Sequence, residues 1–248
     1  GFQAAMAKHG PQCIMPLNYA GPHGMLAGGS MDLRFFHKLG ATVLSRRPLC
    51  GGIKSEAWAG TFGAIAGVQM TDLEQSDMIV VWGNNVTYSN LHLAPVLQRL
   101  RDRGGKVVVV DPKRIKVAEQ ADLHLALRPG TDIVLAFALA AELERRGAFD
   151  DDFIAEMVEG AEDFMAQARP FSIERAAEIT GLAAADILQL ACWYIEAGAA
   201  AVSVGNGLER NRNGGAGIRA IFALPALTGK FRHPAAGLVG GSGNLFPK

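Results

Sequence analysis

The chain has 248 residues, enough for one or two domains, and is 49% hydrophobic and 19% charged. That balance supports a packed core and excludes a disordered chain. Its 24 basic and 24 acidic side chains cancel, so it lacks the basic field that general nucleic-acid binding needs, and apolar stretches such as Ile133 to Ala141 are too short to span a membrane.

The first residues, Gly1 to Gly10, read as the end of an amphipathic helix and not as a signal peptide. Opening without Met in mid-helix, they predict a segment upstream. Cys13 to Leu17 is a short apolar run that predicts a strand, followed by a loop at Asn18 to Gly21. Met25 to Leu39 has near-helical spacing and Gly40 as a stop. A polar loop carries Ser45, Arg46, Arg47 and Cys50, and Ser55 is placed to cap a helix reaching Ala66.

From here the rhythm is regular. Met78 to Trp82 and Lys106 to Val110 are unbroken apolar runs, the pattern of parallel strands buried on both faces. Leu91 to Arg103 predicts the helix between them. Leu123 to Leu127 predicts a third strand, and Thr131 or Asp132 the cap of a helix to Arg146. Asp150–Val158, Ser172–Thr180 and Ala184–Ala197 follow as helices, Ala199–Val204 as a strand, and Gly217–Thr228 as a helix that Pro225 kinks or shortens. The tail from Phe231 reads as an irregular loop. Strands separated by helices predict an α/β fold: a Rossmann-like, doubly wound, mostly parallel sheet with flanking helices, plus part of a second α/β domain.

Ligands bind open α/β sheets beyond the carboxyl ends of the strands. Trp82-Gly83-Asn84-Asn85 stands at such an end, before a helix, where a glycine lets backbone approach a phosphate. An ordinary turn is the equal alternative, because no GxGxxG fingerprint is present. Asp111 ends the second strand and Gly130-Thr131-Asp132 follows the third. Each acid alone is most simply a helix cap; two acids and a Gly-Asn turn along one sheet edge begin to describe a nucleotide site. His92 opens a helix behind the turn, where it can face a ligand. Cys50 lies among glycines beside two arginines, which favour the thiolate, a nucleophile and soft metal ligand; taken alone it is better read as an inert loop residue. Cys13 and Cys192 sit on apolar elements. With no CxxC pair, the chain offers no iron–sulfur or zinc site of its own.

The ordered set Tyr19-Ala-Gly, Gly29-Ser-Met-Asp-Leu-Arg, Leu49-Cys-Gly-Gly, Trp82-Gly-Asn-Asn with Ser89-Asn-Leu-His92, Val110-Asp-Pro-Lys, Arg128-Pro-Gly-Thr-Asp, Gly205-Asn-Gly-Leu-Glu-Arg and Leu224-Pro-Ala-Leu-Thr-Gly resembles the molybdopterin oxidoreductase (dimethyl sulfoxide reductase) family over essentially the whole chain. The resemblance implies part of that family's second domain at 1–45, its Rossmann-like pterin guanine dinucleotide domain at 46–235, and the start of a return into the second domain at 236–248. It implies a molybdopterin guanine dinucleotide cofactor with molybdenum or tungsten, and Cys50 as the catalytic metal ligand. It gives the pyrophosphate to the Trp82, Gly83, Asn84, Asn85 turn with Asn90 and His92, the guanosine end to Asp111, Pro112, Gly130 and Asp132, and a pterin contact to Gly205, Asn206 and Gly207. An iron–sulfur cluster is then expected upstream, with an electron-transfer subunit as partner and a small molecule as substrate. Either cytoplasm or periplasm fits.

Two departures bear on the substrate. Formate dehydrogenases of this family carry His directly after the metal ligand, where this chain has Gly51, and an Arg in the loop that Val239-Gly240-Gly241 resembles. Both argue against formate; Cys followed by Gly is more in keeping with the family's sulfur-compound reductases and poorly characterised members, and the resemblance implies two-electron oxo or hydride transfer on a small substrate. A non-redox hydratase on the same scaffold, and a nucleotide-binding fragment inactive on its own, are the alternatives.

Overall fold

The computed structural model describes residues 1–17, 31–44, 50–64 and 67–240. They form two compact units, Gly1–Gly52 and Ile53–Lys248.

Among its described residues the first unit is helical, with helices at Phe2–His9 and Met31–Leu39 and a 3₁₀ turn at Pro11–Cys13. The strand expected at Cys13 to Leu17 does not form. Pro11 sits in the first turn of the 3₁₀ segment, and Cys13 belongs to that turn. Ile14 is extended and accepts the Thr42 N–H at 2.9 Å, and without a partner edge among the described residues the apolar run stays irregular. The beginning of the helix predicted from Met25, the Tyr19 turn and the Arg46–Arg47 pair lie outside the described residues.

The second unit is an α/β layer structure. Its strands are β1 (Met78–Trp82), β2 (Lys106–Val110), β3 (Leu123–Leu125), β4 (Ala200–Val204) and β5 (Gly237–Leu238), in the order β3-β2-β1-β4-β5 and all parallel. The side-chain period of two divides the strands between two cores. Met78, Val80 and Trp82 of β1, Val108 and Val110 of β2, and Ala200, Val202 and Val204 of β4 join the larger core, with the helices Asp132–Arg145, Ala184–Glu196 and Gly214–Leu227. Ile79, Val81, Val107, Val109 and Ala201 face the smaller core, against Leu93, Val96, Leu97 and Leu100 of the helix Leu93–Asp102. Apolar packing on both faces is why β1 and β2 read as continuous runs.

The helices Asp151–Met157 and Ile173–Thr180 start where the sequence signals them. Asp150 accepts the Phe153 N–H at 2.9 Å and Ser172 the Arg175 N–H at 3.2 Å. Helix Ala161–Ala168 is an addition to the predicted set. Pro225 lies inside Gly214–Leu227 without shortening it appreciably, since the helix ends two residues later. The tail departs from the predicted irregular loop, because Gly237–Leu238 pairs with β4 and Val239 bridges to Val68. A Cβ on Gly67 would lie 2.4 Å from the Gly240 nitrogen, so this edge depends on a bare backbone.

Leu97 belongs to the smaller core, on one face of the sheet. Leu97→Ala, at a position 1% exposed, is expected to cost about 2–5 kcal/mol. Arg99→Ala, which removes a surface ion pair to Glu74, should cost less than about 1 kcal/mol. Denaturant unfolding of the two variants side by side measures the difference.

Candidate functional site

β1 has two neighbours, and the chain leaves it in opposite directions. It winds through β2 to β3 on one side and returns through β4 to β5 on the other. The crevice between β1 and β4 at their carboxyl ends is therefore the topological switch point, where open α/β sheets hold ligands. The register sets Trp82 opposite both Val110 and Val204, so the turns after β1, β2 and β4 emerge at one level.

Glycines make the floor of this crevice. Gly83 has φ +58° and its N–H bonds to the Val110 carbonyl at 2.8 Å. Gly205 donates to the Trp82 carbonyl at 2.8 Å, and Gly207 to the Gly83 carbonyl at 3.2 Å. A Cβ on Gly205 would stand 2.1 Å from the Gly83 oxygen, and one on Gly207 2.9 Å from it. Side chains would close what the bare backbone leaves open. Asn84 is buried and donates from Nδ2 to Ser203 Oγ at 2.9 Å, which ties the β1 turn to β4 below. Asn85 precedes the short helix Val86–Ser89 and its carbonyl accepts the Ser89 hydroxyl at 3.0 Å. Asn90 ends that helix and accepts the Leu93 N–H at 3.0 Å, while His92 is exposed at the start of Leu93–Asp102.

The acids lie on the β2 side. Asp111 is half-buried and accepts the Lys113 N–H at 2.8 Å, a local turn bond of the bland kind predicted for it, with Pro112 exposed beside it. Gly130, at φ +84°, turns the chain into the helix that starts at Asp132 and packs against the Asn211 side chain. Asp132 does not cap that helix. Its Oδ1 accepts the indole N–H of Trp82 at 2.8 Å across the edge of the sheet. Burial pushes the Asp132 carboxyl up, the indole bond opposes this, and the Asp111 charge adds to the rise. Trp82 itself is 1% exposed, so its part is to hold Asp132 and not to present a surface.

The sequence-predicted residues of the second unit thus converge on one edge, with glycine turns over β1 and β4 and acids over β2 and the start of the helix Asp132–Arg145. Cys50 belongs to the first unit, exposed, two residues before the helix Gly52–Phe62. Sequence reasoning missed several groups. Ser203 is the one hydroxyl in an otherwise apolar strand, a pattern that predicts a buried partner. Glu209, 5% exposed, accepts the Lys54 backbone N–H at 3.3 Å, and Lys54 Nζ donates to the Val204 carbonyl at 3.3 Å. Those two contacts join segments about 150 residues apart and leave no local signal.

Comparison with known proteins agrees with this architecture. The family model for molybdopterin oxidoreductase matches residues 7–242. The chain belongs to the molybdopterin oxidoreductase family. It is 31% identical to the "Probable oxidoreductase YoaE" of Bacillus subtilis over 94% of its length and 34% of that protein, and 30% identical to formate dehydrogenase H of Escherichia coli over 68% of its length and 24% of that protein. Among solved structures, the acetylene hydratase from Pelobacter acetylenicus superimposes with a TM-score of 0.77 at 26% identity, covering 94% of this chain and 32% of that one. The chain therefore spans about a quarter to a third of the length of these relatives. The parallel sheet and its flanking helices are a molybdopterin oxidoreductase fold.

Two outcomes test the site. Gly205→Ala should force β1 and β4 apart at the crevice and cost about 1–3 kcal/mol, read as a lower denaturation midpoint. Asp132 carries a folded-state pKa above its ordinary 3.8. In the cofactor-free protein its ionisation therefore works against folding, and the stability it lends below 3.8 is lost as pH rises through the raised value. Asp132→Asn should then melt above wild type near neutral pH, with the two curves meeting in acid. A variant that melts lower at neutral pH would show the carboxylate to be stabilising instead.

Proposed function

We propose that this chain is the nucleotide-holding part of a molybdenum or tungsten enzyme that uses pterin guanine dinucleotide and carries out two-electron oxo or hydride transfer on a small substrate. The observation that carries this reading is the charge order along one sheet edge: two carboxylates over β2 and the start of the helix Asp132–Arg145, then bare glycine turns over β1 and β4. A guanine presents N–H donors and needs acceptors, and a pyrophosphate needs close backbone. The residues present fit both ends of such a group.

In this reading Asp111 and Asp132, with Pro112 and Gly130, hold the guanosine, and Trp82 keeps the Asp132 carboxylate from turning away. Gly83, Asn84 and Asn85 seat the pyrophosphate, Asn90 and His92 close the turn behind it, and Gly205, Asn206 and Gly207 lie beside a pterin. Cys50 supplies a thiolate to the metal, a soft ligand suited to a high-valent centre. The cofactor brings the redox chemistry, and the protein's part is binding, orientation and tuning. An iron–sulfur cluster carried elsewhere in the protein and an electron-transfer subunit would supply the route for electrons. Gly51, where formate dehydrogenases of the family have His, argues against formate.

The likeness to an acetylene hydratase supports a second reading, in which the same scaffold adds water without net redox change. A redox titration during turnover separates the two. An oxidoreductase consumes an electron acceptor or donor in step with product, and a hydratase does not.

The deciding experiment is metal and pterin analysis of the protein carrying this chain, purified anaerobically from cofactor-replete cells, as wild type, Cys50→Ser and Cys50→Ala. Stoichiometric molybdenum or tungsten with guanine dinucleotide is expected in wild type, with an altered metal spectrum in both variants. Absence of metal and pterin from wild type sinks the cofactor reading, and an unchanged spectrum removes Cys50 as ligand.

A further inference from the structure

The crevice holds one group that neither the sequence motifs nor the family likeness assigns. Lys54 lies in the first turns of the helix Gly52–Phe62, and its ammonium donates to the carbonyl of Val204, the last residue of β4. Val204 is in register with Trp82, and the next residue, Gly205, is bonded to Trp82 and packed on Gly83. The ammonium is thus held at the carboxyl edge of the sheet at the switch point, one residue along from the glycine contact. Its backbone is also fixed there, because the Lys54 N–H bonds to the buried Glu209 carboxylate. Glu209 in turn belongs to the turn that follows Gly205.

Across the edge of the sheet the polar groups then run in a fixed order: Asp111 after β2, the Gly83 turn after β1, and Lys54 at β4. Two strand spacings separate the first from the last, about 10 Å. That is the scale on which a nucleoside separates the donor edge of its base from its first phosphates. Two carboxylates stand over β2 and the start of the helix Asp132–Arg145, and a compact cation stands at β4 beside the buried Glu209, so a ligand with a donor-bearing base and an anionic linker matches the crevice in one direction. A lysine suits the anionic end because its ammonium is a point charge that turns its three donors to whichever oxygens are nearest.

We infer that Lys54 is a cationic contact for the pyrophosphate of the dinucleotide, on the β4 side of the crevice. The inference rests on the cofactor reading above and adds to it a residue from a different segment of the chain.

The test uses the cofactor-loaded protein as wild type, Lys54→Gln and Lys54→Arg. Gln keeps a donor for the Val204 carbonyl without the charge, and Arg keeps the charge. Each protein is passed through anaerobic desalting at rising salt, and guanine nucleotide released by acid is measured per polypeptide. Thermal melting of the cofactor-free forms is measured beside it. The expected result is about tenfold less nucleotide retained by Lys54→Gln at low salt (a difference of about 1.4 kcal/mol) that narrows as salt rises and screens the charge, near-wild-type retention by Lys54→Arg, and similar cofactor-free melting for all three. If Lys54→Gln retains nucleotide like wild type across the salt series, Lys54 serves only as a strand-end cap and the inference fails alone. The same holds if its retention falls only in proportion to a lower cofactor-free melting temperature. If wild type itself carries no pterin or guanine nucleotide, the cofactor reading fails first and the inference with it.

Discussion

The approach of Gly205 to the carbonyl of Gly83 sets how close β1 and β4 stand where the chain reverses its winding. At 2.1 Å from a hypothetical Cβ to that oxygen, no side chain fits, and the strands stay in register up to Trp82 and Val204. Everything proposed for the crevice depends on that spacing. The Asn84–Ser203 bond lies under it, the Gly207 N–H closes over it, and the helix Gly214–Leu227 starts with a glycine pressed on the Leu208 carbonyl. A chain of bare-backbone contacts is rigid because each needs the next one to be short, and it offers a ligand more backbone than side chain.

The acids complete this arrangement at some cost to the fold. A half-buried carboxylate held by an indole and set near a second carboxylate ionises less readily than one in open water. Such opposition between stability and site chemistry is common where binding groups have been placed before the ligand is present.

Much of this was legible in the sequence, for identifiable reasons. Met78–Trp82 and Lys106–Val110 stand out because strands buried on both faces need no polar alternation. Asp150 and Ser172 announce their helices because capping is a local bond. Gly83, Asp111, Gly130 and Asp132 could be placed on one edge once the strand order was assumed. What stayed hidden was long-range or brief. β5 has only two residues and takes its identity from β4. The run at Cys13 to Leu17 has strand composition but no edge to pair with among the described residues. Helix Ala161–Ala168 is short and opens on a left-handed Gly160, a start that reads as loop. The Trp82–Asp132 bond spans 50 residues and the Lys54–Val204 bond 150, and neither has a local pattern from which to infer it.

The strand order also has a bearing on how the protein is made. β1, β2 and β3 come early in the chain and can pair as soon as they are synthesised. The partner on the other side of β1 comes only at Ala200, after five helices, Asp132–Arg145 to Ala184–Glu196, that carry the chain back across the sheet. Until then β1 is an open edge beside an incomplete apolar layer, the kind of surface that recruits chaperones or other chains during translation. The crevice shares this timing, since half of its floor is the Gly205–Gly207 loop. Any group that binds the crevice has no complete seat in this unit until that loop has left the ribosome, so binding there follows the closing of the central edge.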